Sequence, residues 1–176
     1  GRGQVVGVIK SYVSRVGTGP LPTELEDDVA EQIREKGGEF GTVTGRPRRI
    51  GWLDMPMLRH SNRVNGFDGV SIHHLDVLSG LETVKVAEEY NLDGETLETV
   101  PTTTETWSDC KPVYREFDGW PDTDWKTVAK EGMDALPPNA KEYVDYITES
   151  LQTPVYGLSV GPDRSRKTVV ENPFEQ

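Results

Sequence analysis

The chain has 176 residues, with 30 Asp plus Glu against 19 Lys plus Arg and a formal net charge of -11. One domain of ordinary size with a real core fits that length, and the acid excess argues against nucleic acid as a general partner. A single cysteine, Cys110, excludes an intrachain disulfide and fits a reducing compartment; no apolar run approaches membrane-spanning length and no secretory pattern opens the chain. Gly1 stands first, and an apolar run, Val5 to Ile9, follows almost at once, as in a chain entered in mid-domain. That run reads as a buried strand or a helix end. Residues 17–22 are rich in Gly and Pro and form a loop. Thr23 and Glu26 read as a capping box opening a helix, with Leu25, Val29 and Ile33 on one face and Gly37-Gly38 at its end. A second helix is expected from Met55 to about Asn65, capped by Asp54, with Pro56 in its first turn and Gly66 after it. Val70 to His74 reads as a strand. Val84, Val86 and Tyr90 alternate with polar residues, Asn91 to Gly94 carries turn residues, and Thr96 to Val100 returns as a hairpin. Pro101 to Asp124 reads as irregular. Pro137-Pro138-Asn139 opens a third helix with Asn139 and Glu142 as its cap and Tyr143, Val144, Ile147 and Leu151 as its apolar face; Pro154 stops it. Val155 to Ser159 and Thr168 to Val170 read as short strands. Strands interleaved with helices predict an α/β protein, a mainly parallel sheet layered by helices, with a β-hairpin.

The segment Thr42 to Asp54 carries the chemistry. It reads Thr-Val-Thr-Gly-Arg-Pro-Arg-Arg-Ile-Gly-Trp-Leu-Asp, with Arg46, Arg48 and Arg49 inside four residues of an otherwise acidic chain. Guanidinium forks pair with carboxylate and phosphate oxygens two bonds at a time, so the cluster suggests an anionic ligand. Gly45 and Pro47 fit a tight loop that fixes where the forks point. A solvated basic loop is the competing reading of the same residues.

Further motifs flank it in order: Arg15-Val16-Gly17-Thr18-Gly19-Pro20-Leu21-Pro22-Thr23-Glu24-Leu25, Gly38-Glu39-Phe40-Gly41, and Leu75-Asp76-Val77-Leu78-Ser79-Gly80-Leu81. Lys111-Pro112-Val113-Tyr114, Phe117-Asp118-Gly119-Trp120 and Ser159-Val160-Gly161-Pro162-Asp163-Arg164 follow. In this order and spacing the chain resembles the C-terminal part of adenylosuccinate synthetase over nearly its whole length. The resemblance implies residues 1–176 are one part of a longer purine-biosynthesis ligase of the route to AMP. That enzyme joins IMP and L-aspartate with GTP and Mg2+ to give adenylosuccinate, GDP and phosphate, in the cytoplasm and as a homodimer, with no nucleic acid or membrane partner.

The resemblance also implies residue roles. Thr42, Val43, Thr44, Gly45, Arg46, Pro47 and Arg48 match the aspartate-binding loop. Arg46 touches aspartate and the ribose side of IMP, Arg48 also approaches GTP, and Val16 is an apolar contact near aspartate. Val43 stands where the family commonly has a threonine, and Pro47 where it often has another arginine. His74, Leu75 and Asp76 match the family's Lys-x-Asp, whose Asp accepts from the guanine N1 and N2 donors, with His74 in place of the lysine. Ser159, Val160 and Gly161 match a loop that backs the base. Read alone, His73-His74 are equally two strand-end histidines without a ligand role, and a His-His-x-Asp metal site lacks a further ligand nearby. Asp163-Arg164 reads as a local ion pair. Trp107, Trp120, Trp125 and Tyr114 read as packing residues.

No Gly-x-x-x-x-Gly-Lys-Ser/Thr or related phosphate loop occurs, and His60 belongs to no motif. The resemblance therefore implies that no catalytic residue and no Mg2+ ligand lies in this chain, and that it is inactive alone. Two other readings stand beside it: a non-catalytic module binding a guanine nucleotide or a dicarboxylate, and one half of a split enzyme.

Overall fold

The computed structural model describes residues 3–161 and 168–169, so the Asp163-Arg164 pair, Pro162 and Val170 lie outside the described residues. The chain divides into two compact units: one formed by residues 1–11, 61–83 and 117–176, the other by residues 12–60 and 84–116.

The first unit is built on a parallel sheet. The run Val6–Lys10 is strand β1, not a helix end. It pairs in parallel with the later strand Gly69–His73, which in turn pairs in parallel with Val155–Ser159; Thr168–Val169 closes the sheet antiparallel. Gly69 to Ile72 are buried, polar Ser71 included, because a central parallel strand has no solvent face. The helix expected near Pro137 runs from Pro138 to Leu151, and its Tyr143, Val144, Ile147 and Leu151 are all buried. The Tyr143 hydroxyl donates to the Ser11 carbonyl at 2.7 Å. Pro137 occupies its cap position with no side-chain bond there. Asn139 donates instead to the Gly119 carbonyl at 2.9 Å, so its amide anchors a loop and does not cap the helix. Gln152, at φ 53°, ends it. A further short helix, Trp125–Glu131, went unread in sequence; Asp124 caps it through the Thr127 amide at 3.3 Å.

The second unit holds a sheet of mixed direction. Its spine is Arg49–Asp54, flanked antiparallel by Tyr12–Arg15 and by the short Glu24–Leu25, and in parallel by Thr83–Leu92. In chain order the strands are β2 (Tyr12–Arg15), β3 (Glu24–Leu25), β4 (Arg49–Asp54), β5 (Gly69–His73), β6 (Thr83–Leu92), β7 (Glu95–Leu97), β8 (Lys111–Asp118), β9 (Val155–Ser159) and β10 (Thr168–Val169). The helices are α1 (Asp28–Gly37), α2 (Met55–Asn65), α3 (Thr104–Trp107), α4 (Trp125–Glu131) and α5 (Pro138–Leu151).

The capping box expected at Thr23 does not form. Thr23 is fully buried, and its hydroxyl donates to the Trp52 carbonyl at 2.6 Å. That bond needs the strands to touch: a side chain at Gly51 would meet Thr23 Oγ1 at 2.6 Å, so glycine is required there. The helix starts at Asp28, with Asp27 as its cap, accepting from the Val29 and Ala30 amides at 3.1 and 3.3 Å. Leu25 therefore lies on a strand and not on the helix face. Gly38, at φ 62°, ends the helix as expected. The hairpin is present but shorter than expected: β6 and β7 pair from Tyr90↔Leu97 to Leu92↔Glu95, across Asp93-Gly94, both at positive φ. Such a two-residue turn matches the strands' twist. Residues 101–124 are not wholly irregular, because they contain α3 and the eight-residue β8, which pairs with β6.

At the end of β4, Asp54 is buried. It accepts from the Tyr90 hydroxyl at 2.6 Å and from the Met57 amide at 3.3 Å, the expected cap of α2, and Trp107 Nε1 donates to the same Tyr90 oxygen at 3.3 Å. Burial pushes the Asp54 carboxyl up to about 6, outweighing the Tyr90 and Met57 bonds and the Arg59 charge that draw it down. The folded chain keeps this proton to about pH 6, whereas the unfolded chain releases it near the usual value of about 3.9. The group's contribution thus favours folding at low pH, falls as pH rises from about 4 to about 6, and is flat above. Two units correspond to roughly 3 kcal/mol. Asp54→Asn is expected to keep an acceptor for Tyr90 and to gain roughly 1–2 kcal/mol over the wild type between pH 4.5 and pH 7.5. Urea titrations of both proteins at the two pH values check this; a difference independent of pH would mean that Asp54 is ionised in the folded state throughout.

Candidate functional site

In the second unit the backbone of residues 39–48 folds back on itself. The Gly45 amide donates to the Gly41 carbonyl at 2.8 Å, the Gly41 amide to the Arg46 carbonyl at 2.8 Å, and the Arg48 amide to the Glu39 carbonyl at 2.9 Å. Phe40 and Pro47 form an antiparallel bridge at its neck. Gly45 has φ 66°, the left-handed region in which glycine carries no steric penalty. The Thr44 hydroxyl accepts from the Arg46 amide at 3.3 Å, a further bond within the loop. Pro47, read as a stiffener, sits at the bridge and has no amide hydrogen to satisfy. The result is a closed loop that presents Thr42, Val43, Thr44, Gly45, Arg46 and Pro47 as exposed residues. Val43 is 94% exposed.

The three arginines separate into distinct roles. Arg46 is exposed, and among the described residues its guanidinium makes no ion pair. Arg48 is half-buried and pairs with Glu39 at 2.9 Å. Arg49 is structural: Nε and Nη2 meet both Glu24 oxygens at 2.9 and 2.7 Å, and Nη1 donates to the Gly17 and Gly19 carbonyls. The hydrogen bonds from Arg49 hold the Glu24 carboxyl below its ordinary value, and the same contact raises Arg49. An anion-binding reading of the whole cluster is thus corrected for Arg49, whose bidentate edge is already taken. Val16 is exposed and follows Arg15, which pairs with Arg49 across β2 and β4; Val16 and Arg48 therefore leave the same end of this sheet. A cavity of about 250 Å³, lined by residues 18–22, Arg49, Trp107 and Ser108, contains none of the residues assigned from sequence.

In the first unit, β5 and β9 lie side by side, with His73 opposite Ser159. The chain turns directly after them. The His74 amide donates to the Ser159 carbonyl at 3.0 Å, and His74 itself has φ 70°, an uncommon conformation for a non-glycine residue. His74 is half-buried, Asp76 is buried, and the Leu75 and Val160 side chains are wholly in the core, so any ligand contact from these two is made by backbone. Behind the turn, Trp120 Nε1 donates to the Leu75 carbonyl at 2.9 Å, and the Ser79 hydroxyl donates to the Asp76 carbonyl at 2.6 Å. Trp125 Nε1 donates to Asp122 at 2.7 Å, and Gly161 passes close against the Trp125 side chain. The two tryptophans pack, as read from sequence, and Trp120 also anchors the turn that carries Asp76. His73 shares a hydrogen bond with Ser71 at 3.0 Å. Among the described residues no group of three or more His, Cys, Asp or Glu side chains converges to hold a metal ion.

The motif Gly38-Glu39-Phe40-Gly41 gives Glu39 no role in sequence, and Trp120 reads there only as a packing residue. A lone acid between glycines just before a basic loop is the one local signal that could have drawn attention to Glu39.

The described geometry belongs to a chain with clear relatives. The family model described as adenylosuccinate synthetase matches residues 2–168. The adenylosuccinate synthetase of Natronomonas pharaonis is 58% identical over 99% of this chain and 41% of the relative. That of Enterococcus faecalis is 49% identical over 98% of this chain and 40% of the relative. The solved structure of fully ligated adenylosuccinate synthetase from Plasmodium falciparum superposes with a TM-score of 0.86 at 43% identity, over 96% of this chain and 40% of that one. The chain spans about two-fifths of the length of the curated relatives it matches. On a match of this extent and identity, the chain belongs to the adenylosuccinate synthetase family.

Proposed function

We propose that this chain is the substrate-holding portion of a ligase that joins IMP and L-aspartate, with GTP converted to GDP and phosphate, to give adenylosuccinate. The observation that carries the reading is the loop closed by its own backbone bonds, with Arg46 exposed on it and Arg48 fixed at its base. Aspartate brings two carboxylates, and a donor fork held on a rigid loop orients one without first having to be ordered. Arg46 takes a substrate carboxylate and the ribose side of IMP. Arg48 also approaches GTP, and Val16 offers an apolar contact near aspartate.

In the other unit, Asp76 reads guanine. A carboxylate accepts from two adjacent N–H donors, which guanine has and adenine lacks, and the buried turn after β5 keeps those oxygens in place. His74 stands where the family lysine packs over the ring, while Ser159 to Gly161 back the base through the main chain. Mg2+, a cytoplasmic location and a homodimer are part of the same reading. The residues that would hold the ion are expected outside the described residues of this chain. Among the described residues no helix is long and apolar enough to cross a membrane.

Phosphoryl transfer needs positioned donors around the transferring group, and this sequence contains no phosphate loop. The isolated chain is therefore expected to form no adenylosuccinate from IMP, aspartate and GTP; turnover above background by the purified protein overturns the assignment of roles.

In the longer enzyme that carries this chain, Arg46→Ala is expected to raise the aspartate KM most among the three substrates. One lost charge-assisted contact corresponds to roughly 1.5–3 kcal/mol, or about 10- to 150-fold. Steady-state kinetics with each substrate varied in turn provide the check, and an unchanged aspartate dependence removes Arg46 from the site.

Asp76→Asn replaces one acceptor by a donor. It is expected to weaken use of GTP and improve use of xanthosine triphosphate, shifting the ratio of their kcat/KM values by about 10-fold or more. Equal loss with both nucleotides would mean that Asp76 supports the turn and does not read the base.

A further inference from the structure

We propose that Glu39 is a positioning residue: its buried carboxylate holds Arg48 so that the Nε–Nη2 edge of the guanidinium faces a two-oxygen anion of the substrates, a carboxylate or a phosphate. The inference rests on the reading of residues 42–48 as the substrate loop.

The two partners differ in exposure. The Glu39 side chain is 3% exposed and that of Arg48 is 31% exposed. A carboxylate out of water is costly unless it is paired and hydrogen-bonded, and a well-packed apolar residue generally serves structure as well. Here both oxygens are engaged. Oε1 accepts from Arg48 Nη1 at 2.9 Å, and Oε2 from the Tyr12 hydroxyl at 3.0 Å. Tyr12 is itself in the core, so the acid is aimed from behind by a group that cannot swing away. The backbone is fastened as well. The Glu39 amide donates to the Arg34 carbonyl and its carbonyl accepts from the Arg48 amide, each at 2.9 Å, while Arg34 Nε donates to the Arg48 carbonyl at 2.9 Å. Arg48 is thus held at its amide, its carbonyl and one terminal nitrogen.

The contrast with Arg49 gives the arrangement its meaning. Glu24 takes Arg49 by Nε and Nη2, the edge that matches a carboxylate or phosphate two bonds at a time. Glu39 takes Arg48 by Nη1 alone, and among the described residues Nε and Nη2 of Arg48 make no hydrogen bond. One arginine is consumed by the fold; its near neighbour is oriented by a buried acid with its bidentate edge left over. Val16 leaves the sheet at the same end.

The test compares Glu39→Gln, Tyr12→Phe and Arg48→Ala in the longer enzyme. Glu39→Gln keeps the shape and a weaker contact to both partners. It is expected to raise the KM of aspartate or of GTP by about 10-fold, the scale of one charge-assisted bond, with kcat within about two-fold; whichever KM moves names the anion. Tyr12→Phe, which frees only the far oxygen, is expected to raise the same KM by about two- to three-fold, and it decides the matter if Glu39→Gln melts below the assay temperature. In the 15N-labelled chain, separate Arg48 Nη resonances are expected in the wild type, where pairing slows rotation of the guanidinium, and their collapse in Glu39→Gln. If Arg48→Ala raises a KM that Glu39→Gln and Tyr12→Phe leave unchanged, or if they lower kcat with every substrate alike, the positioning role is overturned. If Arg48→Ala itself leaves every KM unchanged, it is the substrate-loop reading that fails.

Discussion

The fork between Arg49 and Glu24 is the contact on which the loop-bearing end of the second unit depends. It joins the first residue of β4 to the first of β3, and its third nitrogen gathers the carbonyls of Gly17 and Gly19. A loop of Gly and Pro has little side-chain packing to define it, so a guanidinium that accepts no bonds and offers five donors is an efficient organiser of its carbonyls. With those carbonyls fixed, Val16 leaves β2 in a defined place beside the start of β4. Two residues from Arg49 along the chain the loop of Gly45 and Arg46 begins, closed by backbone bonds of its own. Arg49 is thus spent on the fold, whereas Arg46, three positions earlier, is exposed and makes no ion pair among the described residues.

How much of this was legible depends on how local the cause is. Both ends of helix α2, Met55 and Asn65, are legible in sequence because Asp54, Pro56 and Gly66 each act within one turn. The face of α5 was read because four apolar residues at helical spacing leave no other arrangement. The start of α1 was misplaced because Thr23, Glu24, Glu26, Asp27 and Asp28 offer several overlapping capping signals, and the choice among them was made elsewhere, by Thr23 reaching Trp52 on β4. The strand β8 was missed for a similar reason. Pro112 argues against a strand locally, only Phe117 is buried, and its extended form comes from pairing with β6.

The candidate site shows the same division. Composition and turn chemistry single out Thr42 to Asp54 with its three arginines, and the resemblance narrows this to Thr42 to Arg48 and assigns the roles. Composition alone does not tell Arg48 from Arg49, because their partners, Glu39 and Glu24, lie on other elements. Glu39 and Trp120 were visible as letters within motifs, but a positioning group is recognised only by what it touches. Trp120 touches a backbone carbonyl, a partner that no sequence pattern encodes.

His74 lies in left-handed backbone space, its amide committed to Ser159 and its carbonyl to the Val77 amide. Such a position filters side chains before any ligand does. Branching at Cβ is penalised there, whereas Asn, Asp and His are the non-glycine types most often found. The exchange of lysine for histidine that the resemblance implies at this position is therefore a step between two side chains unbranched at Cβ. Variation at residue 74 across related chains should be weighed first against this conformational filter, and only the remainder against contact with a ligand.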